Sequence, residues 1–228
     1  MKRFFIISVL SVMSLMFGLS MSSKVNIGSD SEELNAYKAF MNLPDDILPV
    51  IDKSARFDML EYFLVDSVYK ATNRLNETSY IDSLTNDCIE VAVSKASRMS
   101  LKVLSGKKNE KIIAVIYTFY GPAADSKLYF LDESFNVLDT ERYFKEPKLK
   151  DFFLIPKGSI TKTGELVDMI TYPTIKYRFV PGKNDLSLSL TVGEHINQDD
   201  YNIMKLFLLP EITFEWQNGR YKQMKNKK

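Results

Sequence analysis

The spacing of apolar residues changes once along this chain, near residue 79, and this change limits the fold more than any other feature of the sequence. Before it, apolar side chains recur every three or four residues, as they do over 55–65. After it, Ile89, Val91 and Val93 alternate with polar residues, and 186–192 shows the same period of two. We therefore predict an α+β fold in which short helices pack on antiparallel β-meanders.

Two helices are predicted in the N-terminal part of the chain. The first begins near Leu34 and is followed by a helical turn between Pro44 and Pro49. The second, over 55–65, has an apolar stripe and an opposite polar face. The stripe consists of Phe57, Met59, Leu60, Phe63 and Leu64, and the polar face, expected in solvent, consists of Arg56, Asp58 and Glu61.

The strands are predicted to pair as hairpins. Residues 112–120 are apolar at nearly every position, which predicts a central strand. The Gly-Pro turn over 121–126 predicts a hairpin between this strand and the next one, Lys127–Asp132. Asn218-Gly219 predicts a second tight hairpin near the C-terminus. The alternating strands before residue 105 are expected to keep one face in water.

The C-terminal half repeats this mixture of elements. The charged stretch 141–150 is expected to be a connector, and 166–170 a strand. A helix capped by Asp199 or Asp200 is predicted to end before Pro210.

A weak internal similarity divides the chain. Ile81-Asp82-x-Leu84-Thr85-x-x-x-Ile89 aligns with Val167-Asp168-x-Ile170-Thr171-x-x-x-Ile175. It predicts two pseudo-repeats, with chance matching of short strand patterns as the alternative. The predicted organisation is a signal peptide over 1–22, a helical segment with a meander over 23–140, and a second meander over 141–228 that shares one core with the first.

The N-terminus has the pattern of a secretory signal. Lys2 and Arg3 precede the uncharged, largely apolar run Phe4–Leu19, and small residues follow it. The run is shorter than the ~20 residues that span a bilayer comfortably. We predict cleavage near Ser20 or Ser22, export to the periplasm or cell envelope, and no transmembrane domain after cleavage. A retained N-terminal anchor is the alternative.

The charge balance argues against nucleic acid as a partner. The whole chain carries a net charge of +1. Removal of residues 1–22 takes away Lys2 and Arg3 and no acid, so the mature charge is 1 − 2 = −1. A near-neutral protein lacks the basic field that nucleic-acid binding requires. The expected partner is an unknown protein or small ligand of the cell envelope.

The sequence predicts no catalytic, metal or cofactor site. His195 is the single histidine and Cys88 the single cysteine, so zinc clusters and a disulfide framework are excluded. No phosphate-binding glycine motif and no GxSxG elbow occurs. Cys88, next to Ile89, is expected to be a buried and unreactive thiol, and His195 a surface or capping residue.

One apparent motif is rejected. Ser67-x-x-Lys70, Ser134-Phe135-Asn136 and Lys162-Thr163-Gly164 follow the order of penicillin-binding serine enzymes. Ser-x-x-Lys also occurs at Ser105 and Ser159, about as often as this Ser- and Lys-rich composition produces by chance. We expect Ser67 and Lys162 to lie far apart, without a catalytic role.

Aromatic residues give the remaining candidates for a binding surface. Tyr120 precedes the Gly-Pro turn, and Trp216 and Tyr221 flank the final hairpin. Exposed aromatic rings can stack on sugars or anchor a protein partner. Core packing is the alternative role of all three.

Several segments resemble an uncharacterised family of secreted proteins from Gram-negative gut anaerobes, known as a domain of unknown function. The resemblance lies in 40–45, 55–62, Tyr120-Gly121-Pro122-Ala123 and the final hairpin around Phe214-Glu215-Trp216. It implies export to the envelope and assigns no activity or catalytic residues.

The function expected from these observations is that of an exported, non-enzymatic envelope protein that binds a partner or ligand. Two alternatives stay open. One is a periplasmic carrier of an apolar molecule, since a curved sheet with helices can enclose a cavity. The other is a hydrolase that acts on an envelope polymer through carboxylates.

Overall fold

The structure is a computed structural model that describes residues 33–65, 67 and 69–224. Its helices are α1 (Ala36–Asn42), α2 (Lys53–Leu64), α3 (Thr140–Tyr143), α4 (Thr163–Asp168) and α5 (Gln198–Met204). Its strands are β1 (Ala71–Thr72), β2 (Thr78–Leu84), β3 (Cys88–Ser94), β4 (Ser97–Ser105), β5 (Lys111–Tyr120), β6 (Ala124–Leu131), β7 (Val137–Leu138), β8 (Ile175–Phe179), β9 (Leu186–Leu190), β10 (Ile212–Gln217) and β11 (Arg220–Gln223). Short 3₁₀ turns occur at Lys107–Asn109, Leu149–Phe152 and Val192–Glu194.

The strands form two antiparallel sheets. The seven-stranded sheet runs β1 to β7 in chain order, and the four-stranded sheet has the order β11-β10-β9-β8. Each strand pairs with its neighbour in sequence, which is the pattern of a meander. The predicted α+β fold with antiparallel meanders is confirmed. β5 pairs with β4 and β6 along its length, as its apolar sequence predicts.

The seven-stranded sheet is covered on both faces. Ile113 and Val115 of β5 face a core formed with α1 and α2, where Phe40 and Leu60 are fully buried. Ile112, Ala114 and Ile116 face a second core, formed with the four-stranded sheet. The expectation of one wet face is therefore wrong for β4, because the second sheet packs on the face of β4 that was expected in solvent, where Leu104 is buried.

Lys102 shows the consequence of this double coverage. It alternates with Leu101 and Val103, so it points toward the second core and is 3% exposed. Its ammonium group donates to the Asp87 carboxylate at 2.7 Å. Burial raises the pKa of Asp87, but the hydrogen bond and charge of Lys102, together with hydrogen bonds from Thr85 and the backbone, outweigh it, so this pKa lies below its usual value.

The predicted faces of α2 are partly wrong. Arg56 is 1% exposed, whereas Phe57 of the predicted apolar stripe is 47% exposed. The Arg56 guanidinium donates to the carbonyl groups of Phe40 and Leu43 and to the Asp45 carboxylate. Carbonyl groups buried at the end of α1 need donors, and a long cation on α2 supplies them.

Two local expectations in the C-terminal half are also wrong. The expected strand at 166–170 is instead the end of α4 and the residues after it, and Glu165 accepts the backbone N–H of Lys162 to cap that helix. α5 is capped by Asn197 rather than by Asp199 or Asp200.

The segments of the internal similarity adopt different structures. Ile81 lies in β2, whereas Val167 lies in α4. The shared spacing of apolar residues therefore reflects burial in two unlike elements.

The predicted signal peptide and its cleavage sites lie outside the described residues. Within the described part of the chain, no helix is long and apolar enough to cross a bilayer.

Candidate functional site

Two open cavities meet at one end of the molecule, where the four-stranded sheet passes the turn between β4 and β5. The inner cavity has a volume of about 530 Å³ and the outer one about 670 Å³. They share Arg142, Tyr143, Arg220 and Lys222, which belong to α3 and β11. We call the two cavities together the cationic groove.

The inner end of the groove is built by the turn between β4 and β5. Gly106 begins this turn, and its N–H donates to the Glu110 carbonyl at 2.7 Å. Lys108 lies in the left-handed region at φ 55°, ψ 34°, a conformation that is uncommon for a side chain with a Cβ. The Trp216 indole donates to the Ser105 carbonyl at 2.8 Å, so β10 holds the turn in place.

The tip of the β10–β11 hairpin closes this end. Asn218 and Gly219 both have positive φ, 51° and 74°, as the predicted two-residue turn requires. A Cβ at Gly219 would lie 3.4 Å from the backbone nitrogen of Lys107, so the two turns pack closely.

The outer end is lined by the connector after α3. Its lining side chains include Lys145, Lys148 and Lys150, all of them exposed. The connector passes β11 on the side of Phe214 and Tyr221, and Pro147 lies at the wall of the cavity.

Positive charge is concentrated in the groove. Its lining cations are Lys107, Lys108, Arg142, Lys145, Lys148, Lys150, Arg220 and Lys222, and its lining acids are Glu110, Glu141, Glu146 and Asp151. Eight cations against four acids give the groove a net charge of 8 − 4 = +4. Because the whole chain carries +1, the rest of it carries 1 − 4 = −3.

These cations are not neutralised by neighbouring carboxylates. Among the described residues, none of the eight forms an ion pair. Glu146 accepts the Tyr177 hydroxyl at 2.6 Å, and Asp151 accepts the Lys148 backbone N–H at 2.8 Å. Glu215 lies opposite Lys222 in the β10–β11 ladder, and its carboxylate accepts a hydrogen bond from the Gln217 side-chain amide. The groove therefore presents positive potential to solvent.

The aromatic residues that line the groove are buried in its wall, so their ring faces are not accessible to a ligand. Tyr143, Phe144, Phe214 and Tyr221 are between 3% and 7% exposed. Phe144 packs edge-to-face on Phe214, 5.0 Å away, and on Tyr221, while Tyr143 stacks on Phe130 at 5.1 Å. Burial raises the pKa of Tyr221, whose hydroxyl has no hydrogen-bond partner among the described residues.

The three aromatic candidates of the sequence do not meet in one site. Tyr221 lies in the groove wall, and Trp216 packs on it at 4.8 Å while it anchors the turn at Ser105. Tyr120 lies at the other end of β5 from the β4–β5 turn, is 40% exposed, and has the Lys176 ammonium 5.4 Å from its ring centroid. Two of the three therefore support the groove, and the third lies outside it.

Sequence reasoning missed the cations of the groove. They come from three separate segments, at 107–108, 142–150 and 220–222, and the whole-chain charge balance conceals them. The one available signal was the high density of charged residues over 141–150, a segment that was predicted only to be a connector.

A smaller apolar pocket lies beneath the turn between α1 and α2, with a volume of about 280 Å³. Phe119, 56% exposed, stacks on Tyr117 at a centroid distance of 5.8 Å in its wall. Its other apolar lining residues are Ile47, Pro49, Val50, Leu75, Val93 and Tyr129. It differs from the groove in its almost uncharged lining, to which Asp46 contributes the one ionisable carboxylate.

The remaining reactive side chains are isolated. Cys88 is half-buried, and burial raises the pKa of its thiol to about 11. His195 is exposed, with Nε2 2.9 Å from the Tyr172 carbonyl oxygen. Over 33–65, 67 and 69–224, no three His, Cys, Asp or Glu side chains are placed to hold a metal ion.

Ser67 and Lys162 lie on opposite sides of the seven-stranded sheet. Ser67 follows α2, which packs on the first core, and Lys162 precedes α4, whose Leu166 is buried in the second. The sheet separates them, which agrees with rejection of the penicillin-binding motif.

Comparison with known proteins places this architecture in context. The model of a family described as protein of unknown function (DUF3256) matches residues 28–221. A solved structure, described as that of a domain of an uncharacterized protein from Porphyromonas gingivalis W83, is similar with a TM-score of 0.71 and 21% identity, over 82% of this chain and 98% of that chain. At this identity the likeness shows a shared fold alone. No curated protein matches the chain.

Proposed function

We propose that this chain, which belongs to the DUF3256 family of proteins of unknown function, is an exported, non-enzymatic envelope protein that binds an anionic ligand in the cationic groove. The ligand presents oxyanions such as phosphate, sulfate or carboxylate. This proposal specifies the ligand that the sequence left open.

One observation carries the proposal: eight cations line the groove without a carboxylate partner among the described residues. Like charges held together raise the free energy of the empty site, and a bound anion relieves that repulsion. A protein whose remaining residues are net negative gains nothing for solubility from such a cluster. Binding of an anion explains why the charges lie around one concavity.

The centre of the site is the part that both cavities share. Arg142 and Arg220 carry planar guanidinium groups, which can donate two parallel hydrogen bonds to one oxyanion. Lys222 adds an ammonium group two residues along the strand from Arg220. The volume of the groove exceeds that of one oxyanion, so a ligand with several anionic groups fits it better than a single ion.

Export rests on the sequence of the N-terminus. Lys2 and Arg3, the run Phe4–Leu19 and the resemblance to secreted proteins of Gram-negative gut anaerobes support it. Intact-mass measurement of the protein isolated from the cell envelope is expected to lack about the first 20 residues. Recovery of the uncleaved chain in the soluble cytoplasmic fraction would contradict export.

The binding proposal is tested with inorganic pyrophosphate as the probe. We expect the purified protein to bind it in calorimetry at low salt, with an affinity that falls as salt is added, because exposed charges are screened. Lys222→Gln is expected to weaken binding about tenfold, as loss of one charge-assisted contact does. The matched control Lys183→Gln removes the same charge from an exposed turn outside the groove and is expected to leave affinity unchanged.

Equal losses in Lys222→Gln and Lys183→Gln would show that binding follows net charge and not the groove. Absence of heat with pyrophosphate, sulfated sugars and uronates alike would overturn the proposal.

Neither alternative function gains a comparable observation. The apolar pocket, at about 280 Å³, lies below the range of roughly 300–1,000 Å³ that is typical of small-molecule sites. Glu146 and Asp151 of the groove accept hydrogen bonds from Tyr177 and from the Lys148 backbone. The carrier and the hydrolase therefore stay predictions of the sequence.

A further inference from the structure

We propose that the ligand of the cationic groove is an anionic polysaccharide that lies along both cavities. The inference rests on the proposed anion binding and specifies its ligand: a sugar polymer that carries carboxylate or sulfate groups. The length of the groove, its lack of exposed aromatic faces and its mixture of charges support this assignment.

The groove joins two cavities, and cations line both of them. Lys107 and Lys108 lie at the inner end, and Lys148 and Lys150 lie at the outer end beyond the shared centre. Arg220 and Lys222 are two positions apart on one strand, with Tyr221 between them, which places them about 7 Å apart on the same face. A small anion can reach only part of this array, whereas a polymer with an anion at each repeat can reach all of it.

The aromatic residues argue against single-stranded nucleic acid. Proteins that bind it without base pairing stack successive bases on exposed aromatic rings. In this groove Tyr143, Phe144, Phe214 and Tyr221 are at least 93% buried, and they leave no ring face for a base. The eight cations that line the groove favour a ligand that carries charge over a lipid chain, which carries none along its length.

The four acids explain why a sugar fits better than a polyphosphate. Glu110 and Glu141 line the groove among the cations, with Glu141 adjacent in sequence to Arg142. A densely charged polyphosphate meets repulsion from each carboxylate. A saccharide alternates anionic groups with hydroxyls, and carboxylates accept hydrogen bonds from hydroxyls. The amides of Asn218 and Gln223 add neutral donors and acceptors at the same wall.

The experiment is a length series measured by calorimetry on the purified protein. The probes are di- and octasaccharides of polygalacturonate, which carry carboxylates, and of dextran sulfate, which carry sulfates. Neutral dextran octasaccharide and oligothymidylate of similar length are the comparison ligands. We expect the octasaccharide of at least one anionic series to bind about a hundredfold more tightly than its disaccharide, because it gains at least two further charge-assisted contacts.

A pair of matched double variants locates the ligand. Lys148→Gln with Lys150→Gln removes the outer cations, and we expect it to reduce the gain from disaccharide to octasaccharide to about tenfold or less. Lys157→Gln with Lys183→Gln makes the same charge change at exposed positions outside the groove, and we expect it to keep the full gain.

The outcomes separate this inference from the proposed function. Tight pyrophosphate binding with no gain from disaccharide to octasaccharide in either series would overturn the polysaccharide and leave anion binding intact. Oligothymidylate that binds more tightly than both octasaccharides would identify nucleic acid as the ligand and overturn the inference. Failure of all anions, pyrophosphate included, would overturn both proposals. A gain in only the carboxylate or only the sulfate series supports the inference and identifies the anionic group.

Discussion

At the scale of single residues, two buried cations connect parts of the molecule that are distant in sequence. Arg56 joins α2 to the end of α1 and the following turn, and Lys102 joins β4 to Asp87, just before β3. Burying a charge is costly, and each of these cations has a carboxylate within 2.9 Å. Both are structural, whereas the cations of the groove are exposed and lack such partners.

The first prediction concerns Arg56. Arg56→Met keeps the apolar stem but leaves the carbonyl groups of Phe40 and Leu43 without their donor, so we expect the free energy of unfolding to fall by about 3 kcal/mol. Urea denaturation measures this change. The control is Arg74→Met, whose half-exposed side chain also contacts Asp45; we expect a loss of about 1 kcal/mol or less. Equal effects would show that Arg56 contributes no more than a surface charge.

The second prediction concerns the single thiol. Burial raises the pKa of Cys88 to about 11, so at pH 8 roughly one molecule in a thousand carries the reactive thiolate. We expect iodoacetamide to react much more slowly with the native protein than with the urea-denatured chain. The native rate should still rise between pH 9 and pH 11, because the thiolate population grows until the pH passes the pKa. A native rate that equals the denatured rate at pH 8 would contradict both burial and the pKa shift.

The third prediction concerns Ser67. Acylation by a β-lactam needs the serine, its base and oxyanion donors around one substrate, and the sheet separates Ser67 from Lys162. We expect no covalent adduct after incubation with a fluorescent penicillin, as judged by intact mass. A stable adduct that disappears in Ser67→Ala would show that the rejected motif is a real site.

At the scale of secondary-structure elements, the groove depends on two turns and one short helix. The β10–β11 hairpin and the β4–β5 turn pack closely at Gly219 and Lys107, and Trp216 fixes the second turn through its hydrogen bond to Ser105. α3 presents Arg142 while it buries Tyr143 against Phe130. The positions of the cations are therefore set by backbone turns whose conformations are specified locally.

The fourth prediction tests the hairpin. Gly219 has φ 74°, where a side chain costs roughly 1–2 kcal/mol, so we expect Gly219→Ala to lower the free energy of unfolding by about that amount. The added Cβ lies at an ordinary contact distance of 3.4 Å from Lys107, so the cost comes from the backbone conformation of Gly219, and we expect the affinity for pyrophosphate to stay unchanged. Gly121→Ala is the matched control, since nothing lies within 4 Å of its added Cβ and its φ is not positive. A Gly219→Ala protein as stable as Gly121→Ala would show that the hairpin tolerates the change.

At the scale of the whole molecule, the two sheets share a core. The second core contains Ile112 and Phe130 of the seven-stranded sheet together with Leu188 and Phe214 of the four-stranded sheet. Neither sheet covers that set of side chains alone. The groove lies where the two sheets and α3 meet, so its shape depends on the correct docking of the sheets.

The fifth prediction follows from that core. Residues 33–140 by themselves would expose the face of β4 to β6 that the second sheet covers, including Leu104 and Phe130. We expect this fragment to lack the near-ultraviolet circular dichroism of the whole protein and to bind a hydrophobic dye. We also expect the whole protein to unfold in one transition that coincides by fluorescence and far-ultraviolet circular dichroism. A stably folded fragment would show that the first sheet and its helices form an independent domain.

The local sequence pattern correctly predicted those elements whose formation depends on residues close together in the chain. Alternation of apolar residues predicts the strands around Ile89 and Leu188, and Asn218-Gly219 predicts its hairpin, because pairing and turn geometry depend on neighbouring residues. The same pattern misplaced Arg56 and Lys102 in solvent and 166–170 in a strand. Arg56 and Lys102 depend on partners at the end of α1 and at Asp87, which no local window contains. The helix at 163–168 has a local cap, from Glu165 to the Lys162 backbone, which the strand pattern overlooked.

The candidate site was decided by tertiary structure alone. Lys107, Arg142 and Arg220 are far apart in the chain, and each is an ordinary surface residue when considered by itself. Their charges add only because two turns and α3 converge on one concavity, and electrostatic potential depends on distance in space rather than on separation in sequence. The whole-chain charge of +1 averages over that geometry, so a sum over the sequence cannot reveal a groove that carries +4 beside a remainder that carries −3.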